Sequence, residues 1–209
     1  QSEFIINDSV WTISPSSIKL DTSNIAINQF KISNQNQSLF LTGNISKNPA
    51  DSVQINLDNL DVSNINFYIN SIGYEIGGRI NGYARINDVY NSPTLFADLG
   101  INKFVVNKRS IGDVKFTSEW FSSEKRLSLN LNNVQNDTTT FEAKGDLYAE
   151  TGKLDFKINI ERVFIEHFSP ILDGVVSNLT GSVNGKFAVT GTTSKPLVNG
   201  ELNINKGTL

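Results

Sequence analysis

The chain has 209 residues, a formal net charge of −3, no Cys, no Met and a single His. Its Lys and Arg residues are scattered rather than clustered, which removes the electrostatic footprint of a nucleic-acid binder, and without Cys neither disulfides nor thiolate metal sites are open to it. No apolar run approaches the roughly 18 to 20 residues that span a bilayer, and the segment after Gln1 lacks the basic and apolar regions of a signal peptide.

Residues 1–24 read as lead-in strands completing a preceding repeat. From Ile25 onward apolar and polar residues alternate, the period-two signature of strands with one apolar and one wet face. Ile25 and Ile27 open the first run, Leu39 and Leu41 the second, and Val53, Ile55 and Leu57 the third; Lys47–Asn48–Pro49–Ala50–Asp51 is a turn between the last two. Leu60–Ile69 interrupts the alternation as a short helical element. Residues 78–103, "GRINGYARINDVYNSPTLFADLGINK", then read as a β-hairpin turning at Tyr90–Asn91–Ser92–Pro93, with Leu99 and Ile101 on its apolar phase. Leu127, Leu129 and Leu131, then Phe141, then Leu154, Phe156 and Ile158 carry the alternation on, between turns at Ser122–Lys125, Asn136–Thr138 and Thr151–Lys153. Val163–Leu172 places apolar residues at spacings of three and four, which predicts a second short helical element interrupted by Pro170. Residues 181–206, "GSVNGKFAVTGTTSKPLVNGELNINK", close the chain as another hairpin, with Val183, Phe187, Val189, Leu202 and Ile204 on one face and a Pro-containing turn between its strands.

The two hairpins align without a gap at an offset of 103 residues: Gly78 matches Gly181, Asn81 Asn184, Gly82 Gly185, Pro93 Pro196, and Ile101–Asn102–Lys103 matches Ile204–Asn205–Lys206. With one single-residue shift the match extends back through Gly43 and Gly145, Leu39 and Phe141, and Ile25 and Leu127. This divides the chain into the lead-in, a first repeat over 25–126 and a second over 127–209, truncated at its C-terminus, all in one continuous structural unit. The end of the second copy falls where the first runs on through Phe104–Val105–Val106, which reads as a piece excised from something longer. The expected fold is all-β: an elongated, strongly curved antiparallel sheet of tandem repeats with one short helical element per repeat. Small residues recur on the apolar phase, among them Gly43, Gly82, Ala97, Gly145, Gly185 and Gly200. They either mark bulges, bends and room for a bulky neighbour, or leave a groove partly unfilled.

Catalytic signatures are missing. One His cannot build a His-based triad or a multi-histidine metal site, and His167, beside Phe168, reads as a packing or surface residue. Asp58, Asp155 and Glu161 lie on the polar phase of strands and read as solvated faces. Gly73–Gly78 is glycine-rich but has no P-loop Lys–Ser/Thr and no following helix. Trp11, Tyr68, Tyr74 and Trp120 share no spacing that would make a sugar platform and read as strand residues. No enzyme, cofactor or metal is expected.

The string Leu179–Gly185, followed by a strand, Gly191–Thr192 and Lys195–Ile204 in the pattern Pro-Leu-x-x-Gly-x-Leu-x-Ile, resembles the repeats of the TamB family, the translocation and assembly module family related to AsmA-like bridge-type lipid transfer proteins. Asn59–Ile65, leading to Ile69–Gly73, is similar to the element that precedes the hairpin there. Both copies match over most of residues 25–209, the first departing at Asp88, where Gly191 stands, and at Ala97, where Gly200 stands. The resemblance implies a β-taco fold, a sheet curled into a trough whose interior suits phospholipid acyl chains. It also implies a periplasmic section of a protein anchored in the inner membrane of a Gram-negative bacterium, with an outer-membrane partner of the BamA-like barrel class. Lipid transport is the first expected function, a scaffold for outer-membrane protein assembly or secretion the second, and a secreted β-rich adhesin the third. The expected lining is the apolar set named above along the runs from Ile25 to Ile204.

Overall fold

A computed structural model describes residues 2–164 and 181–205. Among them are fourteen strands: β1 (Ser2–Ile6), β2 (Ser9–Ile13), β3 (Ser17–Asp21), β4 (Asn24–Asn34), β5 (Gln37–Ser46), β6 (Ser52–Asp61), β7 (Ile76–Asn87), β8 (Thr94–Val106), β9 (Arg109–Phe121), β10 (Arg126–Gln135), β11 (Thr138–Tyr148), β12 (Lys153–Phe164), β13 (Ser182–Thr192) and β14 (Lys195–Asn205). They form one sheet in the order β1-β2-β4 and then sequentially to β14, with β3 beside β4. Every pairing is antiparallel, and β14 does not return to β1, so the sheet is open rather than a barrel.

Local chemistry sets this meander. Asn7–Asp8, Asn107–Lys108 and Asn136–Asp137 connect their strands with positive φ at both positions (47° and 60°, 49° and 65°, 50° and 60°). These are the two-residue hairpin turns whose twist suits right-handed strands, and Asn and Asp tolerate that conformation. Strands β4–β8 correspond to β10–β14 at the repeat offset, and the matched Gly78 and Gly181 share a φ of 135°. The sheet runs unbroken through residues 126 and 127, which sit together at the start of β10.

The first helical element lies slightly later than expected, as turns over Val62–Ile65, Asn66–Ile69 and Asn70–Ile72, because β6 continues to Asp61. Asp61 caps it, its carboxylate accepting from the Ser63 amide at 2.9 Å, and Gly73 ends it at a φ of 84°. Asn66 anchors the segment over the start of β7 by accepting from the Ile76 amide and donating to the Ile76 carbonyl, each at 2.9 Å. Of the second expected element only Val163 and Phe164 are described; they are the last residues of β12, still extended, since a bulge between Ile160 and Val163 returns the chain to register against β13. Residues 165–172, with His167, lie outside the described residues. Pro196 is not in a turn but is the second residue of β14, a sheet-edge strand where Pro is tolerated. Trp11 and Trp120 are on strands as expected, whereas Tyr68 is in the helical segment and Tyr74 follows it.

Candidate functional site

In an antiparallel sheet directly opposed residues share a face, so the register alone traces what lies along it. One row runs Leu39, Leu57, Gly82, Leu99, Phe116, Leu131, Ala143, Ile158, Phe187, Gly200. A parallel row runs Leu41, Ile55, Ala84, Ala97, Ser118, Leu129, Gly145, Phe156, Val189, Val198. Flanking rows hold Val53, Leu127 and Leu154 on one side and Ile101, Phe141 and Leu202 on the other; Val183 opposes Ile204, and Ile25 and Ile27 join through Ile45 and Gly43. Every residue expected to line the apolar face therefore sits on one face of the sheet.

That face is not filled. Val53 and Val183 are buried, Leu202 and Ile204 are exposed on β14, and the other expected lining residues are half-buried. Among the described residues no large side chain is fully buried, and the buried apolar set is only Trp11, Val53, Val62, Ala97 and Val183. The chain exposes 13305 Å² at 23.1 kDa, against about 9,700 Å² for a compact chain of that mass.

The small residues on this face make room for a neighbour, but the neighbour is the adjacent strand rather than an opposing sheet. A Cβ on Gly145 would lie 2.6 Å from Cδ1 of Phe156, and one on Gly200 2.8 Å from Cδ1 of Phe187, so each ring lies over the glycine opposite it. The site of Ala97 and Ala84 in the first copy matches that of Gly200 and Phe187 in the second: two small side chains in one copy, a ring and no side chain in the other.

At one end the face deepens. Register shifts fall between Leu57 and Leu60, Gly77 and Arg79, Ile101 and Phe104, Asn133 and Val134, and Ile160 and Val163, all beside the row through Ile80, Ile101, Val114, Asn133, Phe141 and Ile160. Bulges bend strands and increase their twist, and here they form a seam across β6–β12. Beyond it lies an apolar cavity of about 520 Å³, lined from the helical segment by Ile69 and from the six strands β7–β12 by residues such as Ile76, Phe104, Val114 and Val163. Only a concave surface brings six neighbouring strands onto one such cavity.

Of the expected lining, Leu131 and Phe141 reach this cavity. On β8 and β12 alternation missed the lining because each bulge adds a residue and inverts the phase: Ile101 and Phe104 are three apart, as are Ile160 and Val163. The runs Phe104–Val105–Val106 and Val163–Phe164 were the signal available. Asn133, buried in the seam, donates to the carbonyls of Ile111 (3.0 Å) and Asp113 (3.2 Å) and accepts from the Thr140 hydroxyl, so one side chain ties three strands together.

Charge is carried by the opposite face. Asp98 pairs with Lys115 at 3.3 Å, Glu142 with Lys144 at 2.6 Å, and Arg126 with Glu124 at 2.7 Å and Asp146 at 2.8 Å, whose hydrogen bonds raise the Arg126 pKa. Asp58, Asp155 and Glu161 are exposed, and among the described residues no three potential metal ligands cluster. Phe67 and Tyr68 project from the helical segment, 80% and 74% exposed, with their rings edge to face. Comparison with known proteins gives one family: the model of the TamB C-terminal domain matches residues 28–209. No curated protein matches the chain, and no solved structure does.

Proposed function

The chain belongs to the TamB family of envelope proteins, and from that premise we propose that it forms one section of a hydrophobic trough along which phospholipid acyl chains pass between the inner and outer membranes. Headgroups stay in water at the open side. The role is non-enzymatic and periplasmic, with the parent chain anchored in the inner membrane and a BamA-like barrel as outer-membrane partner. The observation that carries this reading is the unfilled apolar face: rows of large aliphatic and aromatic side chains continue from strand to strand without closing into a core. Fully burying such a side chain is worth about 1.5 to 3 kcal/mol, so a half-buried row gains by being covered with hydrocarbon. In the full-length protein, Phe156→Glu combined with Phe187→Glu should abolish crosslinking to lipid. Unchanged crosslinking in a folded double variant would count against the trough.

A second reading is a scaffold for outer-membrane protein assembly, in which the backbone edge of a strand such as β14, paired among the described residues with β13 alone, is the working surface. Such an edge accepts an added strand. A Pro placed within Leu202–Asn205 removes a backbone donor from that edge. If the edge is the working surface, the substitution blocks barrel assembly while lipid crosslinking persists; if the trough is, the glutamate pair has the larger effect.

A further inference from the structure

The helical segment between β6 and β7 turns two different faces to its surroundings. Val62 is buried and Ile69 lines the end cavity, whereas Ile65, Phe67 and Tyr68 stand in solvent, the last two with ring centroids 5.3 Å apart. From Val62 to Tyr74 the chain carries no charged side chain, although charged residues make up 19% of the sequence. The nearest charges in sequence stand at its two roots: Asp61 caps the first turn and pairs with Arg79 at 3.4 Å, and Glu75 precedes β7. The segment is also held firmly. Asn66 binds both backbone groups of Ile76, and the Ser71 hydroxyl donates to the Tyr68 carbonyl at 2.9 Å. Asn107 accepts from the Glu75 amide at 2.8 Å and donates to the Gly73 carbonyl at 3.3 Å.

A Phe and a Tyr fixed in water forgo burial of the kind that dominates cores and interfaces, so what covers them decides what the segment does. Its chemistry selects a lipid surface. Aromatic rings settle at the boundary between headgroups and acyl chains, and the Ser and Asn side chains around them bond to headgroups or water without bringing a charge to that depth. Charge points to a neutral surface, since an uncharged tip on a chain of net charge −3 gains nothing from anionic lipid. Continuity points the same way: Ile69, next to Tyr68, belongs to the cavity at the end of the apolar face, so one element borders both the tip and the cavity. We propose that Ile65, Phe67 and Tyr68 form a membrane finger that dips into the headgroup region of a neutral phospholipid surface and sets this end of the apolar face against it. Such a contact lies beyond the trough reading, since it fixes where the sheet meets a bilayer and not what moves along it.

The test floats this chain with phosphatidylcholine vesicles on a density gradient. Wild-type protein should float to the same extent in low and high salt, with no gain when part of the phosphatidylcholine is replaced by phosphatidylglycerol. Phe67→Ser combined with Tyr68→Ser, at positions too exposed to support the fold, should lower vesicle partitioning at least about tenfold with an unchanged circular dichroism spectrum. Phe67→Trp should keep binding, with emission from the added indole shifted to the blue and quenched by brominated acyl chains. No flotation of the wild type, flotation that needs phosphatidylglycerol and is reversed by salt, or full flotation of the double serine variant overturns the proposal. So does self-association that the serine pair abolishes, seen by sedimentation without vesicle binding, which assigns the tip to a second copy. The trough is read apart from this, by acyl crosslinking in neutral detergent micelles at Phe156 and Phe187, which the serine pair leaves in place. Crosslinking without flotation removes the finger alone, and flotation without crosslinking removes the trough alone.

Discussion

At the scale of single residues, the two copies show which features of the repeat are backbone requirements and which are packing choices. Asp88 stands where Gly191 does, and both adopt positive φ, 48° and 82°; Asp enters that region with modest strain, and its carboxylate accepts from Asn91 and the Ser92 amide. Ala97 for Gly200 is a packing exchange, balanced by Ala84 for Phe187. Glycine is compulsory only where a Cβ would meet the next strand's backbone, as at Gly145, where it would lie 2.3 Å from the Asp155 carbonyl oxygen. Gly200 is as crowded, 2.1 Å from the Lys186 carbonyl oxygen, but sits on β14, which among the described residues pairs with β13 alone. Gly145→Ala should therefore destabilise by about 1 to 3 kcal/mol, and Gly200→Ala by less, because an edge strand can yield. Urea midpoints of the two variants give the comparison; equal or inverted losses would refute this reading. The sequence displayed both glycines on the apolar phase, but only the cross-strand register reveals what each one faces.

At the scale of elements, the bulge seam sets the shape, and Asn133 is its fastener. Replacing it with Leu leaves the Ile111 and Asp113 carbonyls and the buried Thr140 hydroxyl without that partner, at a cost of about 1 to 3 kcal/mol for a buried group left unsatisfied. Thr140→Val, which removes one of those bonds, should cost less. Thermal denaturation of both variants ranks them, and a neutral Asn133→Leu would show that the seam does not depend on this network. Strand identity was legible from alternation at runs such as Leu127–Leu131 and Leu154–Ile158, and the Asn–Asp turn at 136–137 from turn chemistry. The bulges were not, since an inserted residue looks in sequence like any lapse in alternation. The cavity, built by what lies beyond them, was hidden with them.

At the scale of the whole molecule, each strand pairs with its neighbours in a line, so stability accumulates along one dimension as in other repeat architectures. Amide exchange should be slowest in β7–β11 and fastest in β1–β3 and β14, a gradient that a mass-spectrometric exchange time course reads directly; uniform protection would mean that the sheet unfolds as one cooperative block. The sequence by itself determined the all-β class, the repeat, the apolar face with its Ile25-to-Ile204 set, and the family, because period-two alternation and turn residues are local properties of the chain. Only the tertiary structure decided that this face stays open, that it bends along a seam of bulges, and that an apolar cavity lies at its end. Those depend on register between strands, and register is fixed by how neighbouring backbones and side chains fit against each other, which no single strand carries.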